Sequence, residues 1–295
     1  MPTKIVQLAV LLAGLASTGL AQPPPETDIY LADLAIKRGK VSILSPENVT
    51  NRSGYDNQPN FLPDGKSFFY TAWQADGQTD IYQYNLKTKT ANPLTRTKES
   101  EYSAALTPDG KWFSTIRVEV DGTQRLWKFQ LADPGQAALV LEQLKPVGYY
   151  VWQGADQLVL FILGEPNALY VADASTGQAT QLESGVGRSF HRIPGDKYGV
   201  SFVHKISAQQ WVIKRLDLRT RQITPLIETL PGCEDLAWTK DGTILLSQGS
   251  KVYQSRPQVD RTWTEVADFG ALGIKQVTRL AVNPRSKKLT FVASK

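Results

Sequence analysis

The chain has 295 residues, 41% hydrophobic and 21% charged, with a formal net charge of +5. That balance is globular and excludes a disordered chain. The excess Lys and Arg are spread along the sequence with no dense basic run, so nucleic acid is not an expected partner.

In chain order, Lys4 precedes the apolar run Ile5 to Ala16, which is too short for a comfortable membrane span. Gly19 and Ala21 put small residues at the third and first positions before a cleavage site, and Gln22 and Pro23-Pro24-Pro25 follow. Residues 1–21 are thus expected to be a cleaved secretory signal peptide, 22–27 a Pro-rich spacer and 28–295 a single folded domain, periplasmic or secreted. No Cys follows the apolar run, so a lipid anchor is not expected. The one cysteine, Cys233, cannot close an intramolecular disulfide and reads as a small buried hydrophobe.

Asp28 to Leu34 has strand alternation, Lys37-Arg38-Gly39-Lys40 a turn, and Val41 to Leu44 a second strand. A repeat then begins. Pro63-Asp64-Gly65-Lys66, Pro108-Asp109-Gly110-Lys111 and Lys240-Asp241-Gly242 each sit between two β-rich runs, the signature of a hairpin. Weaker copies occur at Gly154-Ala155-Asp156, Pro194-Gly195-Asp196 and Pro284-Arg285-Ser286. These points recur about every 40 to 46 residues, the period of four-stranded propeller blades. A second hairpin follows in several units, as in Asp80-Ile81-Tyr82-Gln83-Tyr84, the turn Lys87-Thr88-Lys89 and the run Ala91 to Thr95. No convincing amphipathic helix interrupts the pattern.

The last repeat supplies only two strands, and the missing pair is the one at Asp28 to Leu44. The fold class expected is therefore all-β: a six-bladed β-propeller of four-stranded antiparallel blades, closed by N-terminal strands pairing with the C-terminal hairpin. Sharing a blade between the two ends removes strand edges that an open ring would expose.

The Pro-Asp-Gly-Lys turns, with Phe61 to Lys66, Asp80-Ile81-Tyr82 and Pro93-Leu94-Thr95 as the best matches, resemble the TolB-type WD40-like (PD40) propeller repeat. The resemblance runs over the whole mature chain at the level of the repeat. It implies a protein-interaction role in the periplasm; such propellers also occur as accessory domains of peptidases and hydrolases. TolB itself carries an α/β domain ahead of its propeller, for which this chain has no room.

A Gly-x-Ser-x-Gly elbow is absent from the mature chain, Gly185-Val186-Gly187 lacks a third Gly and a following helix, and only His191 and His204 are present. No catalytic set and no metal site are named. Propeller ligands sit at the channel mouth, and aligning the turns puts Asp56, Asn57, Glu101, Tyr102, Tyr149, Arg188, Glu234, Asp235 and Arg279 where the chain enters the innermost strands. His191 is a further channel candidate. These ten residues form the expected site for a protein or peptide partner of the cell envelope, or for a small polar ligand. Two alternatives stay open. One is a lactonase- or lyase-like enzyme in which Asp56, Glu101, Glu234 and Asp235 hold a divalent cation such as calcium. The other is a carbohydrate-binding module, with Trp73 beside the turn Gln74-Ala75-Asp76-Gly77 as a stacking platform. The remaining tryptophans are expected in the core.

Overall fold

The computed structural model describes residues 25–294; the expected signal peptide lies outside the described residues. The chain opens with the hairpin β1 (Thr27–Lys37) and β2 (Lys40–Asn48). Five four-stranded units follow. Blade one is β3 (Asp56–Phe61), β4 (Ser67–Trp73), β5 (Thr79–Asn85) and β6 (Thr90–Pro93). Blade two is β7 (Ser100–Leu106), β8 (Trp112–Val118), β9 (Gln124–Gln130) and β10 (Ala137–Leu139). Blade three is β11 (Val147–Trp152), β12 (Gln157–Ile162), β13 (Ala168–Asp173) and β14 (Ala179–Ser184). Blade four is β15 (Val186–Arg192), β16 (Gly199–Lys205), β17 (Trp211–Asp217) and β18 (Ile223–Glu228). Blade five is β19 (Leu236–Trp238), β20 (Ile244–Gln248), β21 (Lys251–Ser255) and β22 (Thr264–Asp268). The chain finishes with β23 (Val277–Val282) and β24 (Lys288–Ser294).

The closing blade has the order β2-β1-β24-β23. Thr27 faces Ser294, Ile29 faces Val292 and Asp33 faces Lys288 in an unbroken antiparallel register. The six blades are all antiparallel and make the expected propeller. The described residues include a single short 3₁₀ turn, Gly270–Leu272, and no helix long and apolar enough to cross a membrane.

Repeated chemistry explains the repeated architecture. At the Asp-Gly turns the Gly N–H returns to the residue three before it, Gly65 to Leu62, Gly110 to Thr107 and Gly242 to Thr239. Gly65 and Gly110 have φ of 66° and 69°, which a side chain resists. Asp64 and Asp109 accept the N–H of Lys66 and Lys111 and fix the turn. The Asp-Ile-Tyr and Leu-Thr elements have a joint purpose. Thr95 Oγ1 accepts the Ile81 N–H at 2.8 Å and donates to Asp80 Oδ1 at 3.1 Å. At the closure, Thr50 does the same for Ile29 and Asp28. Each set ties the third strand of a blade to the segment leaving its fourth.

The core lies between blades. Phe291 of β24 is stacked between Tyr30 of β1 and Phe269 beyond β22, at 5.3 and 4.7 Å. Phe69 of blade one meets Phe113 of blade two at 5.7 Å. Burying one such ring contributes about 1.5–3 kcal/mol. Tryptophans carry hydrogen bonds across the same seams: Trp152 Nε1 donates to Ser114 Oγ, and Trp238 Nε1 to Ser201 Oγ, both at 2.8 Å. Trp73 is half-buried, with Gly54 against its ring. Cys233 is buried.

Candidate functional site

The innermost strand of each blade runs along the central channel, and most of these strands carry an irregularity near their start. Register breaks between Asn57 and Asn60, Tyr102 and Ala105, and Thr278 and Ala281. Within these breaks Gln58, Ser103 and Arg279 adopt φ of 56°, 55° and 53°. A bulge of this kind re-aims a side chain. Shifts between Val147 and Tyr149 and between Val186 and Phe190 place Tyr149 and Arg188 at the matching level. Asp235, just ahead of β19, completes the set. The result is a neck to which each blade gives one polar side chain. All six line a cavity of about 1840 Å³ that Pro63, Pro108, Gly154, Pro194 and Pro284 of the turns also border.

One half of the neck is charged. Arg188 Nη2 donates to Asp235 Oδ2 at 2.9 Å, and Arg188 Nη1 stands 3.3 Å from Glu234 Oε1. Arg188 Nε is buried without a hydrogen-bond partner. Glu234 Oε2 accepts the Arg188 backbone N–H at 2.9 Å and lies 3.3 Å from Lys205 Nζ. A Cβ on Gly187 would meet that same carboxylate oxygen, so a side chain there would displace Glu234 from the Arg188 N–H. Arg279 lies over the Tyr149 ring at 5.0 Å and donates from Nη2 to its hydroxyl at 2.8 Å. Its Nε is 4.0 Å from Asp235 Oδ1, outside hydrogen-bond reach. His191 Nε2 meets Ser189 Oγ at 3.2 Å. Burial pulls the His191 pKa down to about 4 against the opposing pull of Asp235, so the ring is neutral at pH 7.

The other half is neutral. Gln58 Oε1 accepts from Thr71 Oγ1 at 2.9 Å and from the Ser103 N–H at 2.8 Å. Tyr55 stands within electrostatic reach of Arg279, Tyr149 and Tyr102. Burial raises its phenol well above the ordinary value despite the Arg279 charge, so it stays protonated.

Of the ten residues expected from the sequence, Tyr149, Arg188, His191, Asp235 and Arg279 line the cavity. Glu234 stands behind Arg188. Asp56, Asn57, Glu101 and Tyr102 are placed otherwise, and this corrects the reading of the first two blades. Asp56 is fully buried, with Oδ1 accepting from Arg52. Asn57 is buried with its amide toward Thr27. Glu101 is fully buried, accepting from Arg117 Nε at 3.0 Å and Thr97 Oγ1 at 2.6 Å, and burial pushes its pKa up to about 7. Tyr102 packs against the Ile116 cluster. The expected positions in these two blades stand six and seven residues before Pro63 and Pro108, whereas Tyr149, Asp235 and Arg279 stand five before their turns. The channel positions are instead Gln58 and Ser103, which stand at that same five-residue spacing before Pro63 and Pro108. The four acids considered for a cation are split between blades and held by arginines. Among the described residues, no group of three His, Cys, Asp or Glu side chains could hold a metal ion. The residues therefore do not fit the calcium site of the enzymatic alternative.

Fold and site together define a six-bladed β-propeller with a wide central cavity and a polar neck that is cationic on one side. No protein-family model matches the chain, and no curated protein matches it. Solved structures do match in fold. A protein of Agrobacterium tumefaciens assigned provisionally as TolB is similar with a TM-score of 0.70 and 12% identity, over 92% of this chain and 99% of that one. TolB of Acinetobacter baumannii gives 0.57 and 14%, over 90% of this chain, which spans only 64% of that protein. An oligogalacturonate lyase in complex with manganese gives 0.53 and 13%, over 92% and 98%. With the two TolB structures the chain shares the TolB-like six-bladed propeller fold.

Proposed function

We propose that the protein is a non-catalytic binding module of the cell envelope that docks a protein or peptide segment, or a small polar ligand, in the central cavity. The observation that carries this reading is the cavity of about 1840 Å³ whose lining takes one polar side chain from the start of the innermost strand of every blade. A space of that size exceeds what a small metabolite needs and suits an inserted loop or chain end. The TolB-like fold of the neighbours is consistent with it. The lyase neighbour keeps an enzymatic reading in view, but Asp56, Glu101, Glu234 and Asp235 are paired with arginines and give that chemistry no cluster to work with.

The test uses the purified protein immobilised in an envelope extract, beside a Ser103→Trp variant that plugs the neck. Proteins retained by the wild type and absent from the variant, at unchanged melting temperature, are the expected result. Identical retention by both forms would overturn the reading.

A further inference from the structure

We infer that the neck receives a carboxylate group, as a monoanion, between Arg188 and Arg279. This rests on the binding reading above and names the chemistry of what binds. The charge count comes first. Three cations, Arg188, Arg279 and Lys205, meet two carboxylates, Glu234 and Asp235, so one positive charge is unbalanced. The neighbouring pairs Arg52–Asp56 and Arg117–Glu101 lie in the walls and hold each other. One surplus charge matches a carboxylate and falls short of a phosphate dianion.

Unspent donors come second. Arg279 reaches no carboxylate within hydrogen-bond distance, and Arg188 Nε is buried without a partner. Asp235 already sits beside both guanidiniums, so the neck is shaped around a planar carboxylate. Guanidinium forks recognise that group through paired N–H donors. The turns around the mouth are close to balanced, since Lys66, Lys111, Lys197 and Lys240 share them with Asp64, Asp109, Asp196 and Asp241, so the surplus positive charge is local to the two arginines.

Calorimetric titration at low ionic strength tests this with hippurate, its neutral amide hippuramide, and phenyl phosphate. The expected result is at least tenfold tighter binding of hippurate than of hippuramide, a preference lost in Arg279→Gln. Asp235→Asn removes the internal competitor and is expected to tighten hippurate on the order of tenfold, a gain that misfolding cannot mimic. Acetylated tripeptides separate the sources: one ends in a free carboxylate, the other is amidated and carries a Glu side chain. Binding of either supports the inference and identifies a chain end or a side chain as the source. Equal affinity for acid and amide, no binding of any probe, tightest binding of phenyl phosphate, or no gain in Asp235→Asn would each overturn it. If the probes fail while Ser103→Trp still loses its partner, only the carboxylate inference falls.

Discussion

Glu101 and Asp235 occupy almost the same place in the repeat, a buried acid near the start of an innermost strand beside an arginine. They end up with opposite surroundings. Glu101 lies inside the wall, saturated on one oxygen by Arg117 and Thr97, and Arg117 is itself covered by Trp127 and Phe129, 4.8 Å from each ring. Asp235 lines the cavity between two arginines that still have donors to give. A shift of two residues along the strand turns a structural ion pair into an available one. What decides the role of the acid is its position relative to the bulge, and its residue type says little.

The largest expected effect tests that contrast directly. Arg117→Met should cost about 3–5 kcal/mol in urea denaturation at pH 8, because it strands a buried carboxylate. Arg279→Met should cost about 1 kcal/mol or less, since its guanidinium borders the cavity. Equal losses would erase the distinction. Next comes pH. Folding raises the Glu101 pKa from 4.5 to about 7, so the folded state holds the proton more tightly. Stability from this group is greatest in acid, falls as pH rises from about 4.5 to about 7, and is flat above. Glu101→Gln should remove a slope worth roughly 3 kcal/mol across that window, and a pH series of denaturation curves measures it. Asp235→Asn should leave the slope in place. The smallest effect sharpens the charged side. His191 should titrate by NMR near pH 4, well below the usual imidazole, and costs stability as pH falls below 6.5. Removing the Asp235 charge should lower that midpoint further, because that carboxylate favours the protonated ring.

The ring was legible because its signals are local and repeated. Asp64-Gly65, Asp109-Gly110 and Asp241-Gly242 mark turns by conformational need, and Asp80-Ile81 with Thr95 marks the lock between strands. The missing half blade at the C terminus pointed to the Asp28 to Leu44 hairpin by elimination, and Ile29 opposite Val292 bears that out. In blades three to five and the closing blade the turn offset also led to Tyr149, Arg188, Asp235 and Arg279. It missed Gln58 and Ser103 because the expected pairs in the first two blades lie six and seven residues before the turn proline, while the left-handed bulge residue lies five before it, as Arg279 does before Pro284. A bulge is set by pairing with the neighbouring strand, and pairing is visible only in three dimensions.

The shared blade also sets a timetable for folding. Of the described strands β1 is synthesised first, yet its neighbour β24 is the last of them to emerge, with Thr27 destined for Ser294. Every shorter nascent chain therefore carries open edges at both ends of an arc, and no circle exists to trap it. The clasp makes completion an all-or-nothing event: chain lacking those last seven strand residues has no toroid to settle for.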